Sequence, residues 1–342
     1  VELFQFKQVV EEIMNPETEI SLQEAKELDS EAQIGDSLGV KLNTDFGRIG
    51  AQTAKQVIIQ KVRDAERENI YNEFKDRKGD IVSGTVQRME KGNTYINIGR
   101  AEAVLFAKEQ IPGEVYRQGE RLRAYILDVQ RNSKGPQIFL SRTHPGFLIK
   151  LFEMEVPEIS EGVIKIISAA REPGERAKIS VYSSNRDVDP VGACVGMKGS
   201  RVQSVVQELR GERIDIIPWS QDQAKYVCNA LAPAKISRVY IDEENRYMEV
   251  VVADDQLSLA IGKKGQNVRL ASKLTGWKID IKSESKMEKI STEILETFKG
   301  LPSIGDVASR VLYNEGFRSI KEVAEVDPEE LAKVLEIEKE KA

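Results

Sequence analysis

Histidine is almost absent from this chain of 342 residues, which contains one, His144. A catalytic triad that uses histidine could therefore form only around this residue, and a metal site built from several histidines is excluded. His144 lies in the segment Arg142-Thr143-His144-Pro145-Gly146, which is typical of a turn. We therefore expect it to have a structural role between two domains.

Cysteine is also scarce, because Cys194 and Cys228 are the two present and neither lies in a CxxC motif. This argues against a disulfide framework or a zinc knuckle, and it favours a reducing, cytoplasmic location. No apolar run approaches the roughly 20 residues that a membrane-spanning helix needs. No signal peptide is visible, and because the first residue is Val1, we expect that part of the N-terminal domain is missing.

Motifs for catalysis are missing as well. No segment fits the GxxxxGK[ST] pattern of a nucleotide-binding loop, and no acidic cluster has an evident two-metal pattern. We therefore expect that the protein is not an enzyme and has no catalytic residues, no metal site and no cofactor.

The net charge of −6 at first argues against a nucleic-acid partner. The two ends of the chain are acidic, however, as in Glu11-Glu12 and Glu329-Glu330, whereas two Gly-rich loops in the second half are locally basic. An acidic protein can still bind RNA through a focused basic groove.

The first half of the chain predicts an α+β domain followed by a β-barrel. Phe4–Val10 is a strand-like run, and Asn43-Thr44-Asp45 has the residues of an N-cap for one long helix from 45 to 76. From residue 78 onward, five short alternating runs are separated by turns, which suits a small closed barrel of the OB type. The five runs are Ile81–Gln87, Thr94–Ile98, Ala103–Phe106, Arg121–Val129 and Gln137–Leu140.

The second half contains a duplicated module. Val195–Val202 (VGMKGSRV) matches Ile261–Val268 (IGKKGQNV), and Arg213–Ile216 matches Lys278–Ile281. Each copy predicts the order helix, strand, strand, helix, GxxG, helix, strand. A repeat of this length that occurs twice indicates duplicated globular modules rather than a solenoid. The polar segment after the second copy predicts further helices.

The two GxxG loops are the candidate nucleic-acid site. Their glycines let the backbone reach positive φ and approach a sugar-phosphate chain, and the following helix offers free N–H groups to phosphate. The alternative is a pair of plain helix–helix turns, which would not need lysine in both copies. We therefore expect RNA contacts from Gly196, Met197, Lys198, Gly199, Arg201, Gly262, Lys263, Lys264, Gly265, Asn267 and Arg269.

Each module resembles the KH domain in its prokaryotic, type II order, whose GxxG loop clamps about four nucleotides. Most of the chain resembles the NusA family of bacterial transcription elongation and termination factors, on the segments Phe46–Val57, Asp189–Gly196, Leu231–Ala234, Leu257–Gly262 and Gly265–Leu270. The order of domains is similar too. The expected domains are an N-terminal polymerase-binding domain (1–76), an S1 barrel (77–143), KH1 (144–218), KH2 (219–283) and a helical segment (284–342).

This resemblance implies a monomer that binds RNA polymerase through its N-terminal domain and nascent RNA through its S1 and KH domains. Such a protein modulates pausing, termination and antitermination, together with other transcription factors. The barrel departs from the usual aromatic platform, because Gly92-Asn93-Thr94 replaces a glycine–aromatic run. Tyr95, Phe106 and Arg142 remain as candidates for RNA contact there, although we favour core positions for Tyr95 and Phe106.

Two other functions stay open. The chain could be the RNA-binding part of an RNA-degrading enzyme such as polynucleotide phosphorylase, but it has no room for that enzyme's catalytic domains. It could also be a single-stranded RNA-binding protein of ribosome assembly or translation that does not touch polymerase. The short connection at Pro218-Trp219-Ser220 predicts that Trp219 packs at the junction of the KH modules, or else that it caps the core of the first.

Overall fold

The computed structural model describes residues 4–41, 48–133, 135–301 and 304–335. It divides into two compact units, Val1–Asn69 and Ile70–Ala342.

The first unit contains a three-stranded sheet and a short helix. Strand β1 is parallel to β2 and antiparallel to β3, and Val9 at the end of β1 lies in a small core with Ile20 and Ala25. The hydroxyl of Ser21 caps helix α1 by accepting from the backbone N–H of Glu24. The elements are β1 (Phe4–Val10), β2 (Glu19–Ser21), α1 (Leu22–Leu28) and β3 (Ser37–Lys41).

A long helix, α2 (Arg48–Phe74), follows this sheet. Its last turns belong to the second unit, where Ile70 and Phe74 pack against the barrel core. The long helix predicted from the sequence is confirmed, but the expected N-cap Asn43-Thr44-Asp45 lies outside the described residues.

The second unit begins with a closed five-stranded barrel in the order β4-β5-β6-β8-β7. Apolar residues alternate into its interior, among them Val86, Ile96 and Ile126. At Gly84 in β4, an added Cβ atom would lie 2.4 Å from Ile96 Cγ2 of β5. Only glycine therefore allows β4 to lie this close to the Ile96 side chain. The OB-type barrel predicted from the sequence is confirmed. Its strands are β4 (Ile81–Glu90), β5 (Asn93–Asn97), β6 (Glu102–Leu105), β7 (Arg121–Val129) and β8 (Ile138–Ser141).

The first KH module follows directly. His144 caps α3, since its Nδ1 accepts from Gly146 N at 3.0 Å and its ring stacks on Tyr125, as expected for a residue in a structural turn. The central strand β10 is antiparallel to β9 and parallel to β11. The elements are α3 (Pro145–Glu155), α4 (Pro157–Ser160), β9 (Ile164–Glu172), β10 (Arg176–Ser183), α5 (Pro190–Val195), α6 (Ser200–Glu208) and β11 (Arg213–Pro218).

The second KH module repeats this topology with the sheet order β12-β13-β14. Its core includes two residues of the first module, Ala170 and Ile217, so the two modules share a packed joint. Trp219 lies in this joint, because it packs against the second core and meets Tyr182 of β10 edge-on at 5.4 Å. The junction role predicted for Trp219 is confirmed. The elements are α7 (Gln223–Ala230), β12 (Ile236–Asp242), β13 (Tyr247–Val252), α8 (Leu257–Ile261), α9 (Gln266–Thr275) and β14 (Lys278–Ser283).

Four helices complete the described chain and pack around Phe298, Leu312, Val323 and Leu331. They are α10 (Glu284–Lys299), α11 (Asp306–Asn314), α12 (Ile320–Glu325) and α13 (Pro328–Leu335). Within the described ranges, no helix combines the length and apolar character that crossing a membrane requires.

Candidate nucleic-acid interface

The two GxxG loops have the same backbone conformation. Gly196 and Gly262 both have φ of 74°, with ψ of 176° and 171°. Lys198 and Lys264 take the left-handed region at φ of 51° and 54°, which side-chain-bearing residues rarely adopt. Because both loops repeat this conformation closely, including the strained lysine, we infer that the surrounding structure of each module imposes it.

The first and last glycine of each loop are required for different reasons. A Cβ at Gly196 would lie 2.7 Å from Arg201 Cγ, and one at Gly262 would lie 2.7 Å from Asn267 Cβ. A Cβ at Gly199 or Gly265 would meet nothing nearer than 3.9 Å. The first glycine therefore allows the helices to pack closely, whereas the last faces open space at the start of α6 or α9.

The residue five positions after each first glycine holds the loop in place through hydrogen bonds to backbone carbonyls outside the loop. Arg201 Nη1 donates to Ala193 O at 2.7 Å and pairs with Glu158 of α4 at 2.9 Å. Asn267 is 1% exposed, and its Nδ2 donates to the carbonyls of Leu231, Leu259 and Ala260. We therefore expect Arg201 and Asn267 to position the loops, and Asn267 to do so without touching RNA.

The lysines of the loops point to solvent. Lys198, Lys263 and Lys264 are exposed, as is Met197, which occupies in KH1 the position of Lys263 in KH2. Among the described residues, none of the three lysines has a carboxylate within ion-pair distance. Each loop thus presents unpaired positive charge beside a helix N-terminus, an arrangement that attracts phosphate.

Arg269 lies beside the KH2 loop but is already paired. Its Nε is 2.5 Å from Glu172 Oε1, and its Nη1 lies 3.4 Å from Lys264 O. Glu172 begins the turn Glu172–Glu175 between β9 and β10, which we call the KH1 turn. The guanidinium of Arg269 lowers the pKa of the Glu172 carboxyl through this hydrogen bond. The residues Glu172-Pro173-Gly174-Glu175 are typical of a turn, but nothing in the sequence indicates its contact with KH2.

The barrel carries an aromatic surface that includes Tyr95 and Phe106, two of the three candidates named from the sequence. Tyr95 of β5, Val104 of β6 and Phe139 of β8 are cross-strand neighbours on one face, and Phe106 stacks on Phe139 with 5.6 Å between ring centroids. Tyr95, Phe106 and Phe139 are partly exposed and lie outside the barrel core. The expectation that Tyr95 and Phe106 are core residues was wrong, and Phe139 was missed although it alternates with buried Ile138 and Leu140.

Arg142 does not belong to that surface. It is 1% exposed and makes a bidentate ion pair with Glu114, with further bonds to Glu208 of α6. The prediction that Arg142 could contact RNA was therefore wrong, because a guanidinium that is enclosed in this way cannot stack on a base.

The described residues contain no group of three or more His, Cys, Asp or Glu side chains arranged to hold a metal ion.

Four protein-family models match consecutive parts of the chain. The NusA N-terminal domain matches residues 1–68, and the S1 RNA binding domain matches residues 75–141. The NusA-like first KH domain matches residues 142–219, and the NusA-like second KH domain matches residues 223–289.

Three curated relatives are similar over most of the chain, and each carries the name "Transcription termination/antitermination protein NusA". The relative from Halalkalibacterium halodurans is 54% identical over 85% of this chain and 76% of its own length. The one from Bacillus subtilis is 52% identical over 85% of this chain and 78% of its own length. The one from Rickettsia prowazekii is 44% identical over all of this chain and 70% of its own length. The chain belongs to the NusA family of transcription termination/antitermination proteins.

Proposed function

We propose that this protein is an RNA-binding transcription elongation factor that binds RNA polymerase and nascent RNA, and that it modulates pausing, termination and antitermination. The observation that carries the RNA-binding part is the pair of GxxG loops with matched backbone angles and exposed, unpaired lysines. This membership in the NusA family supports transcription as the setting.

Each KH loop is assigned a phosphate at the start of the helix that follows it. Among the described residues, no side chain caps the N-terminus of α6 or α9, and Gly199 and Gly265 leave open space beside these helix ends. A phosphate placed there meets the positive end of the helix dipole and the adjacent lysine ammonium groups. The bases of a single strand then lie along the module, where local groove chemistry reads them.

The barrel contributes a stacking surface. Tyr95, Phe106 and Phe139 offer partly exposed rings, and Arg88 lies over the Tyr95 ring at 4.0 Å. Base–aromatic stacking contributes about 1–3 kcal/mol per base. We assign unpaired RNA bases to this surface.

The polymerase contact is assigned to the N-terminal domain on the strength of the family match over residues 1–68. In this proposal the protein acts in the cytoplasm as a monomer, and no catalytic step is assigned to it.

The RNA-binding part is tested by Gly199→Asp and Gly265→Asp. Each change places a carboxylate at the phosphate position in open space, and it also adds the backbone strain of a side chain at positive φ. Gly211→Asp and Gly276→Asp are matched controls, because both glycines also have positive φ and open surroundings, but they lie at the far ends of α6 and α9. We expect at least several-fold weaker single-stranded RNA binding from each loop variant by fluorescence anisotropy, and near-normal binding from the controls. Unchanged affinity in the double loop variant would remove the proposal.

The polymerase part is tested by a pull-down of core RNA polymerase with this protein. Retention of polymerase distinguishes this function from an RNA-binding protein of ribosome assembly or translation. RNA binding without polymerase retention would favour that alternative.

A further inference from the structure

The KH1 turn lies against the start of the helix that follows the KH2 loop. Gln266, the first residue of α9, donates from its Nε2 to Glu172 Oε2 at 2.8 Å and to Glu175 Oε2 at 2.7 Å. Arg269, one turn later, pairs with Glu172. Two carboxylates of one module thus face the helix N-terminus at which the other module is assigned its phosphate.

These carboxylates occupy groups that a phosphate would use. Anionic oxygens are favoured at a helix N-terminus, whether they belong to a phosphate or to a carboxylate. Arg269 touches the KH2 loop through its bond to the Lys264 carbonyl, but its charge is already neutralised by Glu172. RNA at this loop therefore meets repulsion from Glu172 and Glu175, and it gains Arg269 only when that ion pair separates.

The contact is not needed to hold the two modules together. The side chain of Arg269 is 47% exposed and that of Glu172 is 19% exposed, and ion pairs this open to solvent contribute little to stability. Buried contacts hold the joint instead. Ser168 Oγ donates to Leu274 O at 2.7 Å, Ala170 is buried in the second core, and Lys178 Nζ lies 3.4 Å from Ala232 O.

The duplication provides a natural comparison. The strand registers place Asp242 in KH2 where Glu172 lies in KH1, because each pairs with the first residue of the next strand. The KH2 turn also carries two acidic residues, Glu243 and Glu244. In KH1 the position of Arg269 is taken by Gln203, so the first loop has neither the cation nor the opposing turn.

We propose that Glu172 and Glu175 form a carboxylate gate on KH2, an internal competitor that holds Arg269 and Gln266 until RNA phosphate displaces it. This proposal rests on the proposed RNA-binding function and adds that KH1 regulates RNA binding by KH2. The KH2 loop has two exposed lysines and a third cation, Arg269, that is paired with Glu172 until RNA binds. The preceding module therefore sets the RNA affinity of the KH2 loop and its salt dependence.

The test is the double substitution Glu172→Gln and Glu175→Gln, made in the full chain with Gly199→Asp so that binding reports on KH2. The matched control is Glu243→Gln with Glu244→Gln in the same background, which removes two charges from the equivalent turn. A short fluorescent single-stranded RNA is titrated by anisotropy at several salt concentrations. We expect several-fold tighter binding at low salt for the gate variant. The log–log salt slope should become steeper by about 0.7, the value for one more neutralised phosphate.

Adding Arg269→Gln to the gate variant should remove the gain, since the released cation supplies it. Weaker binding in the gate variant would overturn the proposal and show that the turn positions the KH2 loop. An unchanged affinity, or an equal gain in the control, would also overturn it. Failure of the proposed RNA-binding function is recognised separately, because the Gly265→Asp variant would then bind RNA as well as its Gly276→Asp control.

Discussion

Arg142 and Glu114 form a bidentate ion pair, in which Nε and Nη2 of the arginine lie 2.9 and 2.8 Å from the two carboxylate oxygens. The arginine ends the barrel, the glutamate lies in the loop between β6 and β7, and both side chains are almost fully enclosed. Arg142 Nη2 also donates to Glu208 O of α6, and the Arg142 carbonyl accepts from Arg171 Nη1 at 2.6 Å. Through these bonds a single residue joins the barrel to the first KH module.

The Glu114→Gln variant should therefore be strongly destabilised. It leaves the Arg142 guanidinium enclosed with its main counter-charge gone, and breaking a buried pair from one side costs about 3–5 kcal/mol. Lys78→Gln is the matched control, because it removes an exposed pair with Asp128 on the same barrel and should cost at most about 1 kcal/mol. Thermal unfolding followed by circular dichroism measures both. Equal midpoints for the two variants would contradict the role of Arg142 as a joint.

Cys194 should resist alkylation in the folded protein. It is fully buried in the first KH core, and burial raises the pKa of its thiol to about 12. The reactive thiolate is therefore scarce at pH 8, and the reagent has no access to it. Iodoacetamide treatment followed by peptide mass spectrometry should show Cys194 modified in denaturant but not in buffer, whereas the half-buried Cys228 should react slowly in buffer and fully in denaturant. Rapid modification of Cys194 in buffer would show that the first KH core opens readily.

Much of the fold was predictable because its signals are local. The five barrel strands follow from alternation and turns, and the KH modules follow from a repeat whose GxxG spacing fixes a helix–loop–helix. The strained φ of Lys198 and Lys264 accompanies that spacing in both copies. The positions of the two loops between their flanking helices were therefore predictable from the sequence.

The partners of the charged residues were not predictable, because they lie far away in the sequence. Arg142 meets Glu114 and Glu208 at separations of 28 and 66 residues, and Arg269 meets Glu172 at 97. From the sequence alone, a basic residue near a loop is predicted to bind phosphate, because the carboxylate that neutralises it cannot be identified. The outward position of Tyr95 and Phe106 also depended on the barrel register, which composition does not fix.

The salt dependence of RNA binding should differ between the two KH loops. Lys263→Gln with Lys264→Gln removes two unpaired cations and should flatten the log–log slope by about 1.4, at about 0.7 per phosphate. Lys198→Gln removes one cation and should flatten it by about 0.7. Arg201→Gln should leave the slope near that of the unchanged protein, because Glu158 already neutralises Arg201.

The control for this series is Lys286→Gln with Lys289→Gln, two exposed lysines of α10 outside the KH loops. The same loss of charge there should leave the slope almost unchanged. A flattening equal to that of the Lys263 and Lys264 pair would place the phosphate contacts on the general surface of the protein, not on the loops.

A single RNA strand that contacts both KH loops should bind much more tightly than two separate short strands. Joining two binding sites raises the effective concentration at the second site, provided that the geometry allows both to be engaged. The joint between the modules fixes that geometry through buried packing, since Ala170 and Ile217 lie in the second core and Trp219 contacts both sides. A flexible Gly/Ser insertion after Ser220 lengthens the connection, but these contacts do not depend on its length.

The insertion alone should therefore lower long-strand affinity only slightly, whereas the insertion combined with Ala170→Asp should lower it strongly. The aspartate places an unpaired charge in the apolar joint, which drives the modules apart, and the inserted segment lets them separate. Binding of short strands, each within reach of one loop, should stay near normal in the same variant, because Ala170 lies outside both loops. Fluorescence anisotropy with long and short RNA measures the ratio of long-strand to short-strand affinity. Circular dichroism checks that each module remains folded. If the combined variant keeps full long-strand affinity, the modules read RNA as independent units, and the packed joint serves stability alone.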